Sequence, residues 1–370
     1  MKRLPAVETL PPGLVTLADH EQQAREHLDA NAWAYFSGGA GDEITLRANR
    51  SGWDGMQLRT RVLRNLVGGH TRTTLLGRTL AHPILLAPVA YQRIAHPDGE
   101  LAAAYAAASH GAGMVLSSQA SMPLEQIAAA CLGEASRGPL WFQLYIQHDR
   151  GFTRELVKRV EQAGYEALVV TVDAPSSGVR DRELRAGFRL PVGISAVNLA
   201  GLTAPPALAL RPEQSRMFDG LLTSAPTWAD IEWLKSCTRL PILLKGIMHE
   251  EDAREALRLG AAGVIVSNHG GRTLDTMPPT CAVLPRVREA IGADAAVLVD
   301  GGIRRGTDVI KAIALGADAV MIGRPYVFGL ANAGAIGVSH VLRLLRDELE
   351  IAMALCGCKT LAEADARILF

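Results

Sequence analysis

Downstream of residue 80, eight short apolar runs alternate with longer amphipathic stretches. This alternation is typical of repeated β-α units that build a parallel sheet. Eight such units in a chain of 370 residues predict a closed (β/α)8 TIM barrel of the α/β class. The predicted strands are Ile84 to Ala87, Met114 to Ser117, Trp141 to Tyr145, Ala167 to Val172, Ile242 to Lys245, Gly263 to Ser267, Ala296 to Asp300 and Ala319 to Ile322.

The stretches between these runs have helical character, and glycines that can cap their carboxyl ends follow several of them. They include Gly99 to His110, Phe152 to Ala163, Glu250 to Leu259 and Thr307 to Leu315. An open, doubly wound sheet is the competing architecture. That fold usually carries a GxGxxG turn after its first strand, and nothing after Ala87 fits this pattern, which favours the barrel.

The chain is predicted to form one domain over residues 1–370. A helix from Ala18 to Ala30 and a short one near Trp33 would cover the bottom or side of the barrel. The long connection 174–226, rich in Pro, Gly and Ser, is predicted to be a mobile lid loop. The remaining expected segments are the N-terminal helices within 1–80, the barrel strands within 81–330 and C-terminal helices within 331–370.

Charge and cysteine content limit the classes of partner and compartment. Lys plus Arg and Asp plus Glu both number 38, without a long basic tract, which argues against nucleic-acid binding. Five cysteines and no evident export signal indicate a cytoplasmic protein, and Cys356-Gly-Cys358 alone is not a metal site, so no metal is expected. The uncharged segment Leu190 to Leu210 contains three prolines, so we expect an irregular loop rather than membrane insertion.

Polar residues stand at the carboxyl end of nearly every predicted strand, where the active sites of such barrels lie. After the sixth strand, Ser267-Asn-His-Gly-Gly-Arg-Thr-Leu-Asp275 places His269 and Arg272 on a glycine-rich turn. A histidine suits a general base, and an arginine offers a planar fork for a carboxylate or phosphate. A surface turn with a structural histidine is the alternative interpretation of this segment alone.

The last two strands are followed by glycine and then arginine, at the usual phosphate site of these barrels. These residues are Gly301, Gly302 and Arg304 after the seventh strand, and Gly323 and Arg324 after the eighth. The sequence therefore predicts a bound phosphate group.

Lys245 ends an apolar strand and is predicted to lie desolvated near the barrel mouth, unless it faces an anion. It suits a Schiff-base lysine, as in barrel aldolases, or a cation facing the electron-rich edge of a cofactor. The phosphate site and His269 favour the second interpretation.

Taken together, the chain resembles the family of FMN-dependent enzymes that oxidise 2-hydroxy acids, which includes glycolate oxidase, lactate oxidase and mandelate dehydrogenase. The resemblance spans roughly Leu17 to Leu361. Its most specific parts are Ser267 to Asp275, Leu298-Val-Asp-Gly-Gly-Ile-Arg-Arg-Gly-Thr-Asp308 and Gly316-Ala-Asp-Ala-Val-Met-Ile-Gly-Arg-Pro325, supported by Ala87-Pro-Val-Ala90, Phe142-Gln-Leu-Tyr145 and Thr171-Val-Asp173.

The resemblance implies an FMN site. Pro88, Val89 and Ala90 would pass the face of the flavin, and Lys245 would lie near its pyrimidine edge. Ser267 belongs to the implied site as well. Hydrogen bonds to the flavin ring are implied for Ser117, Gln143 and Thr171, and contacts with the ribityl phosphate end for Asp300, Gly301, Gly302, Arg304, Gly323 and Arg324.

For catalysis, the resemblance implies that His269 is the base and that Asp173 orients it. Arg180 and Arg272 would bind the substrate carboxylate, and Tyr145 would contact the substrate's oxygen. We expect His269 to take the hydroxyl proton while the α-hydrogen leaves as hydride; proton abstraction from carbon is the alternative. The product is a 2-oxo acid.

Three positions depart from the small-substrate pattern. Trp33 is expected where many members have a tyrosine that binds the substrate carboxylate, so it is a candidate substrate residue that favours lactate-like, larger or aryl acids. Tyr91 and Gln119 also differ, and Ala90-Tyr-Gln-Arg93 looks like the hydroxymandelate oxidase branch.

Three functions compete. The first is an oxidase of L-2-hydroxy acids that uses dioxygen and releases hydrogen peroxide, which Ala90 favours over a monooxygenase. The second is a quinone-linked dehydrogenase that associates with a membrane through the long loop. The third is a Schiff-base lyase, which leaves His269, Asp173 and Arg180 unexplained. The resemblance also implies a homotetramer or octamer.

Overall fold

A computed structural model describes residues 8–205 and 210–370. Eight parallel strands close into a barrel in the order β10-β3-β4-β5-β6-β7-β8-β9, which confirms the predicted fold. Every predicted barrel strand is present, with ends that shift by one or two residues. The strands are β3 (Ile84–Leu86), β4 (Gly113–Ser117), β5 (Leu140–Leu144), β6 (Leu168–Thr171), β7 (Ile242–Ile247), β8 (Gly263–Val266), β9 (Ala296–Val299) and β10 (Ala319–Ile322).

Helices surround the barrel and precede it. From residue 8 onward, three come before the first barrel strand: α1 (Leu17–His27), α2 (Ala30–Ser37) and α3 (Ile44–Asp54). The others are α4 (Gly99–Ser109), α5 (Leu124–Cys131), α6 (Arg150–Gln162), α7 (Asp181–Ala186), α8 (Trp228–Cys237), α9 (Glu250–Arg258), α10 (Thr280–Ile291), α11 (Gly306–Ala314) and α12 (Arg324–Cys356).

Alternate residues of each barrel strand belong to different cores, because successive side chains of a strand point to opposite faces. In β4, Val115 lies in the core inside the barrel, whereas Met114 and Leu116 pack in the core between strands and helices. Both faces are buried, so the strands are apolar runs rather than alternating ones.

The N-terminal part contains more than the two predicted helices. It adds helix α3 and a hairpin of β1 (Thr73–Leu75) and β2 (Arg78–Leu80), joined by Leu76 and Gly77, which both have positive φ as a tight hairpin turn requires. Leu75 and Leu80 join the core inside the barrel, so the hairpin closes its lower end. Strands of three residues are too short to show a period in the sequence.

The predicted long loop 174–226 is described except for 206–209, which also fall within the uncharged segment 190–210. Its first part is anchored to the N-terminal helices. Arg182 donates a hydrogen bond to Ser37 Oγ (2.9 Å), the Asn31 amide pairs with the backbone of Arg189, and Phe188 stacks on Tyr35. The expected mobility of the loop stays a prediction.

The C-terminal helix α12 is long and apolar enough to cross a membrane, but most of the apolar part is buried inside the protein. Ala333 and Gly334 have non-helical dihedral angles and kink it. It packs against α1, α4 and α11, so it is a core helix of the barrel's outer layer.

Candidate active site

A cavity of about 190 Å3, the inner cavity, opens at the carboxyl ends of the barrel strands. It gathers nearly all the predicted site residues, although these come from eight different strand ends. Predicted residues that line it are Pro88, Val89, Ala90, Ser117, Gln143, Tyr145, Thr171, Arg180, Lys245, His269, Arg272, Asp300, Gly301, Gly302, Arg304, Gly323 and Arg324.

His269 and Asp173 form the predicted pair. His269 Nδ1 lies 3.0 Å from Asp173 Oδ1, and the Asp173 side chain is almost fully buried. Burial alone would raise the pKa of Asp173, but the attraction and hydrogen bond of His269, helped by Lys245, lower it below its usual value. Asp173 therefore stays ionised and occupies one imidazole nitrogen, which leaves Nε2 for a ligand in the cavity.

Room for Asp173 depends on an irregularity in β7. The pairing of β7 with β8 shifts register between Lys245 and Ile247, and the intervening Gly246 has φ +108°. A β-carbon at Gly246 would lie 2.4 Å from Asp173 Cβ. The bulge therefore lets the carboxylate lie against the barrel wall, as bulges beside active sites often do.

Arg272 and Arg180 lie together at the rim of the inner cavity and share a carboxylate, Glu183 of α7. Arg272 Nη2 donates to Glu183 Oε1 at 2.8 Å, and Arg180 Nη1 lies 3.4 Å from the same oxygen. Arg272 Nη1 donates to the backbone oxygens of Tyr35 and Gly38. Among the described residues, three of the five N–H donors of Arg272 are thus occupied and two remain for a ligand.

Tyr35, and not Trp33, faces this cluster. Tyr35 lines the inner cavity, and the Arg272 guanidinium lies 5.2 Å from the centre of its ring. Burial raises the pKa of Tyr35 to about 12, so its hydroxyl stays a donor.

The predicted substrate contact of Trp33 is wrong. Its ring stacks on the Phe328 ring, with 5.6 Å between the two ring centres. Trp33 is not among the described residues that line the inner cavity. Residues two apart on a helix lie about 200° apart around its axis, so Trp33 and Tyr35 point to opposite sides of α2.

Lys245 faces an anion inside the barrel mouth. Its ammonium lies 3.0 Å from Asp300 Oδ2 and donates to Ser267 Oγ, also at 3.0 Å. Burial by itself would lower the pKa of Lys245, but Asp300 and Asp173 raise it. A lysine held protonated in an ion pair is a poor nucleophile, which disfavours the Schiff-base alternative.

Ser267 belongs to the predicted cofactor residues, yet it is fully buried behind the cavity wall. Its hydroxyl accepts hydrogen bonds from Lys245 Nζ and from the His269 backbone N–H. Its role in this geometry is to hold Lys245 and the His269 turn.

Two arginines form a cationic end of the inner cavity. Arg324 donates to three backbone oxygens, of Phe36, Gly38 and Gly270. Burial, then repulsion from Arg272 and Arg304, lowers the pKa of Arg324. Arg304 has Glu21 as a carboxylate partner at 3.3 Å, whereas Arg324 meets only carbonyl oxygens among the described residues. Two largely buried guanidinium groups with one carboxylate between them favour a further anion, so this end fits the phosphate of FMN.

The inner cavity also offers hydrogen-bonding groups that have no partner among the described residues. Gln143 Oε1 accepts from Ser117 and Ser118, which leaves the buried Gln143 Nε2 without a partner in the described residues. Asp300 Oδ1 is likewise buried and unpaired there. Because buried polar groups are nearly always satisfied, a donor and an acceptor at these places fit the ring and ribityl chain of FMN.

A wider space of about 1330 Å3, the outer chamber, continues from the inner cavity toward the long loop. The two share Tyr35, Gln119, Tyr145, Thr171, Arg180 and His269. The walls of the outer chamber carry apolar side chains, among them Tyr91, Phe188, Leu190, Met217, Leu221 and Trp228. It can hold an apolar group far larger than a methyl group.

Two site residues were missed by sequence reasoning. Glu183 follows Arg180 by three residues, a helical spacing that permits an ion pair and was a usable signal. Tyr35 had no such signal, because either aromatic side of α2 could have faced the barrel.

Comparisons with known proteins agree with this geometry. Residues 24–370 match the family model described as FMN-dependent dehydrogenase. The chain is 48% identical to an L-lactate oxidase of Nostoc sp. (96% of this chain, 98% of that protein) and 42% identical to the human 2-hydroxyacid oxidase 1 (96% of each). A crystal structure of mandelate oxidase with benzoyl-formic acid matches with a TM-score of 0.85 at 42% identity, covering 96% of this chain and 98% of that one. FMN is thus the cofactor, and the chain belongs to the FMN-dependent dehydrogenase family.

Proposed function

We propose that this enzyme oxidises an L-2-hydroxy acid to the 2-oxo acid and passes the electrons to dioxygen, which becomes hydrogen peroxide. The observation that carries the proposal is the convergence of the His269–Asp173 pair and the Arg180–Arg272 pair on one cavity. A base next to a carboxylate clamp is the arrangement that a 2-hydroxy acid requires. FMN, when bound, supplies the two-electron acceptor.

In the proposed reaction, Arg180 and Arg272 bind the substrate carboxylate and so place the adjacent hydroxyl next to His269 Nε2. His269 then takes the hydroxyl proton. Asp173 stabilises the resulting imidazolium. Tyr145 lines the same space, and burial followed by repulsion from Asp173 raises the pKa of Tyr145, so its hydroxyl remains a donor to the substrate oxygen.

The outer chamber supports a substrate with a larger apolar side chain. Relatives are named for lactate and glycolate, and a structural neighbour for mandelate. A side chain that reaches Phe188 and Leu190 would bury apolar surface, worth about 25 cal/mol per Å2. We therefore infer that lactate, longer and aryl acids are better substrates than glycolate.

The test is anaerobic reduction of the purified, FMN-loaded protein by both enantiomers of lactate and mandelate, and by glycolate and 2-hydroxyoctanoate. Bleaching by the L-acids followed by recovery of colour and peroxide on admission of air supports the proposal. A flavin that none of these acids reduces would refute it.

A quinone-linked dehydrogenase at a membrane is the second candidate. Apolar side chains on the long loop are exposed, including Val192 and Phe218. A flavin that air reoxidises slowly, but a quinone analogue in lipid vesicles reoxidises fast, would favour this acceptor.

We further infer a cytoplasmic enzyme, since Cys237, Cys281, Cys356 and Cys358 are free thiols among the described residues. The homotetramer or octamer implied by the resemblance stays a prediction, which the mass of the protein in solution would test.

A further inference from the structure

Asn49, on helix α3, touches two loops of the active site at once. Asn49 and Asn268 are both buried, and neither is among the described residues that line the inner cavity. The two side-chain amides bond reciprocally: Asn49 Nδ2 donates to Asn268 Oδ1 at 2.8 Å, and Asn268 Nδ2 donates to Asn49 Oδ1 at 2.8 Å. Asn268 immediately precedes His269.

The Asn268 side chain spans the turn that carries His269. Its Oδ1 also accepts from the Gly271 backbone N–H at 3.2 Å, and its Nδ2 donates to the Pro278 oxygen. Within the turn, His269 has φ +56°, a conformation that side chains rarely adopt and that persists only where the surroundings hold it. The Asn49–Asn268 pair is such a support.

The backbone of Asn49 lies against the second loop, residues 300–302, at the phosphate end of the cavity. A β-carbon at Gly302, where φ is +83°, would lie 2.3 Å from the Asn49 oxygen. Two further side chains of α3 hold the same loop: Arg50 Nη1 donates to the Gly302 oxygen (2.5 Å) and Trp53 Nε1 to the Gly301 oxygen (2.8 Å). A displacement of this loop therefore moves α3.

We propose that Asn49 is a positioning residue that couples FMN binding at the 300–302 loop to the placement of His269. The inference rests on the proposed function for the role of His269, but the coupling between the two loops does not. An FMN phosphate that orders the 300–302 loop fixes α3, and the amide pair passes this restraint to the turn after β8.

The test is a double-mutant cycle on the dissociation constant of FMN, measured by quenching of FMN fluorescence. The variants are Asn49→Ala, Asn268→Ala and the double variant. Each single variant should weaken FMN binding by about tenfold, the size of a lost buried hydrogen bond. The double variant should lose clearly less affinity than the product of the two single losses, because both changes remove the shared amide pair.

A matched control is Asn31→Ala on α2, whose amide pairs with Arg189 away from both loops. It should leave FMN affinity unchanged. If alanine at position 49 prevents folding, Asn49→Asp can replace it, because aspartate keeps the shape of the side chain and still accepts the hydrogen bond from Asn268 Nδ2. Its loss of FMN affinity should lie between those of the parent and Asn268→Ala.

A second readout concerns His269. At saturating FMN, Asn49→Asp should lower the rate of flavin reduction several-fold while the affinity for oxalate stays within about twofold of the parent, because Arg180 and Arg272 have other anchors. Parent-like FMN affinity of Asn268→Ala, or losses that simply multiply in the double variant, would overturn the coupling. The cycle needs no substrate, so a parent enzyme that no 2-hydroxy acid reduces would refute the proposed function alone.

Discussion

Glu183 Oε1 accepts a 2.8 Å hydrogen bond from Arg272 Nη2 and lies 3.4 Å from Arg180 Nη1, so one acidic side chain of the long loop serves both arginines of the proposed carboxylate clamp. With Glu183 present, the three side chains carry a net charge of +1. The cluster is therefore matched to a substrate with one carboxylate.

Glu183→Gln should tighten the binding of oxalate by about tenfold, since removal of one nearby charge changes an interaction of about 1.4 kcal/mol at a partly buried site. Titration of the flavin absorbance with oxalate measures the effect. Asp181→Asn, on the same helix but paired with the exposed Arg185, is the control. Weaker binding by Glu183→Gln would show that Glu183 mainly orients Arg272.

His269→Ala should keep FMN bound and lower the rate of flavin reduction by roughly a hundred to ten thousand times, the contribution of a general base. Stopped-flow absorbance under anaerobic conditions gives this rate. Near-parental reduction by the variant would exclude His269 as the base.

Arg324→Gln should weaken FMN binding by roughly 1.5–3 kcal/mol, the usual value of a hydrogen bond to a charged group. The dissociation constant from fluorescence quenching measures it. Arg343→Gln removes an exposed arginine of the same helix, which pairs with Asp347, and should have no effect. Equal affinities of the two variants would contradict a phosphate contact for Arg324.

Trp33→Tyr should leave the ratio of kcat/KM for mandelate and glycolate within about twofold of the parent, because the ring at 33 packs on Phe328 outside the cavity. Tyr35→Phe should weaken oxalate binding by up to about tenfold through loss of one hydroxyl donor. A shifted substrate ratio in Trp33→Tyr would restore the substrate contact first expected there.

Stability should fall as the pH drops from 6.5 toward 4. His20 of α1 is buried against α12, and its Nε2 lies 2.9 Å from His340 Nδ1. Burial, followed by electrostatic repulsion from His340, lowers the pKa of His20 to about 4. In the unfolded chain His20 is protonated below about pH 6.5, whereas in the folded chain it stays neutral down to about pH 4. Over this range the free energy of unfolding falls by about 1.4 kcal/mol per pH unit for each such histidine.

Thermal unfolding across this pH range checks the effect. His20→Gln should flatten the loss of Tm at low pH, whereas His27→Gln, at the exposed end of the same helix, should not. Since His82 has a similarly lowered pKa, some pH dependence should remain in His20→Gln. Equal slopes for both variants would refute the assignment.

Prediction from the sequence succeeded where a residue's place follows from the period of its element. His269, Asp300 and Arg324 follow apolar strands directly, and a closed barrel brings all such ends to one rim. It failed for Trp33 and Tyr35, because the helix period separates the two rings but does not say which faces the barrel.

The role of Asn49 and the hairpin β1–β2 also escaped prediction. Asn49 pairs with Asn268, 219 positions away in the sequence. A local sequence pattern does not indicate a contact between residues so far apart. The hairpin strands have three residues each, too few to distinguish a strand from a loop.

The barrel closes through the pairing of β3 with β10, in which Ile84 lies beside Val320. During synthesis, the edge of β3 has no partner until the last strand leaves the ribosome, roughly 10–50 s later at 5–20 residues per second. For this time a buried, apolar strand exposes unpaired backbone groups, a template for wrong pairing. The yield of active enzyme in cells should therefore depend on chaperones that shield β3 until β10 has left the ribosome.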